Sequence, residues 1–382
     1  MKAGIAGLPY TGKTTLFCAL TGQDYEKLSH GKDIHVGTVT VPDTRLDRLF
    51  EIFAPKKKTF ATMEFFDVAG QSAGDKNGME PKVLQTLKNA DSLIIVLDGF
   101  SGTADPKNDF TTLMEDFALN DLLIVTSRLE RIEKESRGGK SSHLSAEEAV
   151  LETCREVLES NGKLLEIDFN SEQEKLIRGY QFLTLKPLVI VVNISEDDLV
   201  SGAESEIEEQ FSNVKNARCA AVSAEIEMEI ASLDEQDRGE FLASMGIAEP
   251  ALQRVIRLSY DSLGLFSFFT GGGPDEVRAW TVHKGAKAPE CAGVIHSDME
   301  RGFIRAETIA FDDLDRAGSM KVAREHGLVR IEGKDYDVKD GDILTIRFSV
   351  DYFGRKTRYN IMEITCRVKY SRFCRGKDFY CL

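Results

Sequence analysis

Two hydrophobic textures divide the chain. Short, mostly apolar runs bounded by turn residues recur at residues 3–6, 61–66, 93–97, 188–192 and 217–222. Strands covered on both faces need such continuity, so these runs predict the parallel strands of an α/β sheet with helices between them. A helical stretch over residues 14–21 follows the first run and stops at Gly22, a residue suited to a left-handed helix end. Between the third and fourth runs the texture changes. Leu122, Val125, Leu129 and Ile132 are spaced 3, 4 and 3 apart, and Leu151, Cys154 and Leu158 repeat that spacing after a polar break at residues 138–142. This pattern predicts an antiparallel helical hairpin over residues 112–182, with Ser145 and Glu148 as the capping box of its second helix. From Gly264 onward, short alternating segments at 277–282, 302–306, 328–331, 335–338 and 343–348 predict a small α+β domain. The expected partition is therefore an α/β domain over 1–111 and 183–263, the hairpin at 112–182, the second domain at 264–350 and an extension at 351–382.

Composition supports a folded chain: 42% of the 382 residues are hydrophobic and 29% charged. The net charge of −15 argues against a surface that coats nucleic acid indiscriminately. That charge is uneven, because residues 351–382 hold eight basic and three acidic side chains while the preceding 350 carry forty basic against sixty acidic. The seven cysteines form no CxxC pair, which suits reduced thiols in a cytoplasmic protein better than a disulfide framework. The sequence opens Met-Lys-Ala-Gly-Ile-Ala-Gly without an apolar leader, and no apolar run approaches the ~20 residues of a membrane helix. An intracellular protein with no membrane contact is expected.

The chemistry begins at the first strand. Gly7-Leu8-Pro9-Tyr10-Thr11-Gly12-Lys13-Thr14 fits GxxxxGK[ST] between a strand and a helix. Glycines let backbone N–H groups approach phosphate oxygens, the helix N-terminus favours anions, a lysine reaches the terminal phosphates and a threonine hydroxyl suits Mg²⁺. Lys13 is thus a candidate for charge neutralisation, Thr14 for the metal, and Tyr10, Thr11, Gly12 and Thr15 for the phosphates. Asp67-Val68-Ala69-Gly70 follows the second strand, where an aspartate holds Mg²⁺ and a glycine N–H senses the γ-phosphate. After the strand at 188–192 comes Asn193-Ile194-Ser195-Glu196, where nucleotide switches carry NKxD. The short aspartate of NKxD accepts guanine's N1–H and N2–H₂ donors; the longer Glu196 and the apolar Ile194 weaken that readout and favour adenine. Asn193 and Glu196 are thus candidates at the base, with Ile194 packing on its face, and Ser223 and Ala224 sit where a second base-contacting loop belongs.

These motifs resemble the Obg-like ATPases, the YchF group of translation-factor-type P-loop NTPases. NxxE replaces NKxD in that family, and the lead-in 181–187 (QFLTLKP) matches it. So do Arg278-Ala279-Trp280-Thr281, Lys287-Ala288-Pro289, Gly293-Val294-Ile295-His296, residues 300–307 (ERGFIRAE) and residues 332–336 (EGKDY). The resemblance covers residues 1 to about 350 and implies a G domain, a helical insertion and a C-terminal TGS domain of β-grasp type. It further implies an Mg²⁺-dependent NTPase, with ATP ahead of GTP, acting as a nucleotide switch near the ribosome or its RNA. Gln71 departs from the family, which carries a hydrophobic residue there; other GTPases use a glutamine to orient the attacking water, so Gln71 joins Lys13 and Gly70 as a catalytic candidate. The family's TIxPN segment has no clean counterpart between Ser29 and Val39, and the loop after Phe100 lacks the histidine proposed to aid hydrolysis in bacterial relatives. Two alternatives stay open: a GTPase switch built on Gln71, and a nucleotide-regulated binding module with negligible turnover. The tail's Cys366, Cys374 and Cys381 and its alternation over 360–370 fit either an added strand pair or a solvated basic peptide.

Overall fold

The computed structural model describes residues 1–28, 34–68, 79–138, 141–160, 162–245, 247, 249–352 and 355–359. Its strands in chain order are β1 (Lys2–Ala6), β2 (Ile34–Thr40), β3 (Lys57–Thr59), β4 (Thr62–Val68), β5 (Ser92–Asp98), β6 (Leu188–Asn193) and β7 (Ala217–Val222), followed by β8 (Leu265–Thr270), β9 (Glu276–His283), β10 (Phe303–Ala310), β11 (Arg330–Glu332), β12 (Asp342–Tyr352) and β13 (Arg355–Tyr359). Two compact units form, one from residues 1–39 with 62–263 and the other from 40–61 with 264–382.

The first unit is an α/β layer structure on a six-stranded sheet, ordered β2-β4-β1-β5-β6-β7. The pairs β1–β4, β1–β5, β5–β6 and β6–β7 are all parallel. Every residue of β6 is buried, and Leu93 to Leu97 of β5 are fully so, as the continuous apolar runs require. The β1-to-helix turn leads into Lys13–Thr21, which ends at Gly22 in the left-handed region (φ 67°), with the Gly22 N–H bonded to the Cys18 carbonyl at 2.8 Å. The insertion is a pair of helices, Pro106–Glu135 and Ser142–Glu159, whose Val125, Leu129, Ile132, Val150, Leu151, Cys154 and Leu158 share one core cluster. The second helix starts one turn earlier than the sequence pattern suggests: Ser141 is its N-cap, accepting the Leu144 N–H at 3.2 Å, so Ser145 lies inside the helix and makes no capping box. A buried carboxylate, Asp121, fastens the returning chain by accepting from Leu183 N (3.0 Å), Thr184 N (2.8 Å) and Thr184 Oγ1 (2.8 Å). Among the described residues, no helix is long and apolar enough to cross a membrane.

The second unit holds a seven-stranded sheet, ordered β11-β10-β12-β8-β9-β3, with β13 also paired to β12. A core cluster of Phe266, Phe268, Cys291, Ala292, Met299, Phe303, Leu344, Ile346 and Phe348 joins this sheet to the helix Ala288–Ile295. The segment 40–61, counted with the nucleotide domain by the sequence pattern, belongs here: β3 pairs in parallel with β9, and Leu46 and Leu49 of the helix Thr44–Phe53 are fully buried. Its fastening is partly ionic, since Arg45 pairs with Asp43 and Asp340, both at 2.9 Å, and Arg48 with Asp315 at 2.6 Å. Residues 335–338 form no strand beyond a bridge from Asp337 to Lys287, while the wholly buried β8 lies just ahead of the first segment the alternation marked. The tail segment 360–370 and Cys366, Cys374 and Cys381 lie outside the described residues.

Glu227 of the first unit supplies a pH-dependent contribution. It is 4% exposed, its Oε1 accepts the Ala251 N–H, and burial raises its pKa from 4.5 to about 7 against the pull of the Ala251 and Leu252 N–H groups. A carboxyl with a raised folded-state pKa stabilises the fold below its unfolded pKa and loses that contribution as pH climbs to the folded value. Glu227→Gln keeps an acceptor for Ala251 without the charge. Its stability advantage over wild type should therefore grow by about 2 kcal/mol between about pH 5.5 and 8.5, a change that urea titrations at the two pH values will measure. A constant difference would show that Glu227 does not titrate in this range.

Candidate functional site

The site is built at the C-terminal ends of the parallel strands β1, β4, β5, β6 and β7, where an open α/β sheet leaves a crevice. After β1 the chain must turn sharply under β5. A Cβ on Gly7 would stand 2.2 Å from the Val96 carbonyl oxygen, so the turn exists only because that side chain is missing. Tyr10 stands out into solvent at 95% exposure with φ 64°, whereas Thr11 is buried and donates its hydroxyl to the Leu8 carbonyl at 3.1 Å. Gly12 caps the helix Lys13–Thr21 with φ 89°, a left-handed geometry that leaves the first N–H groups of that helix facing the loop. Thr14 and Thr15 are half-buried in its first turn.

Lys13 bends back into the loop and donates from Nζ to the Leu8 carbonyl at 2.5 Å. It is buried, and desolvation pulls its pKa from 10.5 to about 8 despite the attraction of Asp67. Asp67, the penultimate residue of β4, is fully buried, and neither carboxylate oxygen has a hydrogen-bond partner among the described residues. Burial raises its pKa; the Thr14 hydroxyl, near but outside hydrogen-bond geometry, offsets part of this, as do Lys13 and His35. A lysine and a carboxylate each stripped of water beside a helix N-terminus can take up a phosphate and a hard cation together, each restoring the charged form of the other.

Asn193 closes the site from the end of β6. Its Nδ2 donates to the Thr11 carbonyl at 3.2 Å and its Oδ1 accepts the Ala224 N–H at 2.9 Å, so one amide joins the phosphate loop to the loop after β7. A Cβ on Gly12 would lie 2.3 Å from that same Nδ2, which makes the glycine and the asparagine one packing unit. Ser223 is buried as the N-cap of the helix Ala224–Ser232, without a side-chain capping bond. Sequence reasoning put Ile194 against a base. The structure turns it instead into the core at 2% exposure, with its N–H held by the Val222 carbonyl at 2.9 Å. Glu196 is exposed at the start of the helix Glu196–Ser201, whose N-cap is Ser195. Gly70 and Gln71 lie outside the described residues. His35 was missed: it stands near Asp67 on β2, a strand whose alternation, with Gly37 and Val39 buried between exposed neighbours, was a readable signal.

Comparison with known proteins now bears on this geometry. A family model described as "50S ribosome-binding GTPase" matches residues 2–128, and the model YchF-GTPase_C, described as "Protein of unknown function (DUF933)", matches residues 265–349. The chain is 41% identical over 366 residues to the ribosome-binding ATPase YchF of Bacillus subtilis, covering 92% of this chain and 100% of that protein. It is 40% identical to the protein of that name from Pasteurella multocida, over 91% of this chain and 99% of the relative. The solved YchF GTPase of Schizosaccharomyces pombe superposes with a TM-score of 0.79 at 28% identity, covering 91% of this chain and 97% of that one. With 40–41% identity over more than nine-tenths of its length, the chain belongs to the YchF family of P-loop nucleotide hydrolases.

Proposed function

We propose that the chain is an Mg²⁺-dependent NTPase that takes ATP in preference to GTP and works as a nucleotide switch on the ribosome, in the cytoplasm. The observation that carries this reading is Asp67, whose two buried, unpartnered oxygens stand beside the half-buried Thr14 and the desolvated Lys13. Oxygen donors of this kind fit Mg²⁺, which Thr14 and Asp67 would hold. When bound, the ion neutralises phosphate charge as it develops. Lys13 leaves the Leu8 carbonyl for the β and γ phosphates, the N–H groups of residues 10–15 cradle them, and Thr15 serves the α-phosphate. Gly70 senses the γ-phosphate and Gln71 orients water. Asn193 holds the phosphate and base loops in register, with Ser223 and Ala224 lining the base and Glu196 at its edge.

The preference for adenine is supported by the longer, exposed Glu196 where a guanine-specific pocket needs a short, fixed aspartate. Ribosome association is supported by the bacterial relatives, which are named as ribosome-binding ATPases. Displacement of labelled ATP tests both nucleotides at once: unlabelled ATP should compete at least ~10-fold better than GTP. Sedimentation with 70S ribosomes should differ between the ATP and ADP states. A GTP advantage would instead establish the GTPase reading, and state-independent sedimentation would remove the switch.

A further inference from the structure

β2 passes the phosphate-loop helix with His35 and Gly37 turned toward it. A Cβ on Gly37 would lie 2.2 Å from Thr21 Cγ2, and two positions earlier the His35 ring stands 6.4 Å from that of Phe17 at 37°. Steps of two along a strand keep one face, and steps of four along a helix keep one stripe. The contacts are therefore successive rungs, Gly37 on Thr21 and His35 on Phe17. One helical turn further, ~5.4 Å toward the N-terminus, come Lys13 and Thr14.

His35 thus stands one rung below the phosphate end, on the strand adjacent to the one that carries Asp67. The two side chains are close enough to interact electrostatically. Its Nε2 is buried without a hydrogen-bond partner among the described residues, the same condition as both oxygens of Asp67. An unmade buried hydrogen bond costs ~1–3 kcal/mol, and three such atoms on two neighbouring strands mark a place where something else supplies the partners. Asp67 and Thr14 supply the oxygen donors that Mg²⁺ prefers, and the ion keeps several waters whose O–H groups need acceptors. An imidazole nitrogen without a proton is such an acceptor, whereas as a direct ligand it suits other metals better than Mg²⁺.

We propose that His35 is a positioning residue of the nucleotide–metal centre, its Nε2 accepting a hydrogen bond from a water of the Mg²⁺ shell. The inference rests on the Mg²⁺-nucleotide reading above. Acceptors of this outer kind tune metal affinity by about tenfold or more without touching the substrate.

The test uses the full-length chain with Mn²⁺ as a spectroscopic substitute and a non-hydrolysable ATP analogue. Free Mn²⁺ is read by electron paramagnetic resonance, and nucleotide affinity in EDTA by a fluorescent ADP. His35→Ala should weaken Mn²⁺ binding to the nucleotide complex about tenfold while leaving metal-free nucleotide affinity and the melting temperature as in wild type. His35→Asn, whose amide oxygen also accepts from water, should recover most of the loss. Wild-type Mn²⁺ affinity in His35→Ala would overturn the assignment. So would an equal loss with and without metal, which indicates a phosphate or packing role, or a nitrogen hyperfine coupling from His35, which indicates direct ligation. If wild type itself bound neither nucleotide nor Mn²⁺, the nucleotide reading would fall; a failure confined to the variants removes only His35.

Discussion

Lys13→Met is expected to abolish nucleotide hydrolysis while making the folded chain more stable. The loss should reach ~10²–10³-fold in kcat, since the donor removed is the side chain proposed to neutralise charge on the transferred phosphate beside the metal. The gain in stability follows from burial. Lys13 is 8% exposed and its pKa falls from 10.5 to about 8, so near neutral pH the fold carries the cost of a desolvated ammonium. The full shift corresponds to about 3 kcal/mol, and Asp67 loses an attraction when the lysine goes, so a net gain of about 2 kcal/mol is expected at about pH 7. The sign has a further consequence. Above about pH 8 the folded form releases the Lys13 proton before the unfolded form does, so the stability of wild type relative to the variant should rise toward about pH 10, on top of the decline that the buried thiols impose on both proteins. Chemical denaturation across that range, beside a phosphate-release assay, checks both halves. A variant less stable than wild type at neutral pH would show that the lysine contributes packing its charge does not cancel.

Gly7→Ala should be the most damaging single-methyl change in the first unit. The new Cβ would lie 2.2 Å from the Val96 carbonyl oxygen, and backbone of the fully buried β5 cannot withdraw as a flexible side chain would. Relief has to come from moving the phosphate loop. A stability loss of about 3 kcal/mol or more and a fall in nucleotide affinity are expected together, read from urea midpoints and labelled-ATP binding. Gly22→Ala is the control. Its φ of 67° is strained for alanine, but no atom lies within 4 Å of the new Cβ, so it should cost ~1–2 kcal/mol and leave affinity unchanged. Equal effects at the two glycines would mean that conformation, not the approach of β5, governs the loop.

What was legible in the chain was what chemistry forces into a short span. A phosphate loop needs its glycines, lysine and threonine in one run; Asp67 and Asn193 announce themselves as polar residues at the ends of buried strands. The hairpin was legible because its seam repeats, though its second helix begins at the local signal of Ser141 rather than the equally plausible Ser145. Long-range choices were not legible. Nothing near Lys57 to Thr59 says that this strand will pair with β9, more than two hundred residues away. Ile194 reads as a base platform from its place in the motif and proves to be core, because the pattern states which residue follows the strand and not which way its side chain turns. His35 escaped for a related reason: its partners, Phe17 and the surroundings of Asp67, lie on other elements.

The excursion of residues 40–61 into the second unit has a consequence for anyone cutting the gene. A fragment beginning at residue 264 would encode a sheet whose β9 edge has lost β3, and a Gly271 no longer covered by Phe53. The complementary fragment, ending at 263, would carry the helix Thr44–Phe53 with Leu46 and Leu49 bared in the middle of a polypeptide that has nothing to lay them against. Neither half of the coding sequence is therefore a self-sufficient folding instruction. Splitting this protein cleanly would require grafting the excised twenty-two residues onto the downstream piece and closing the gap left upstream.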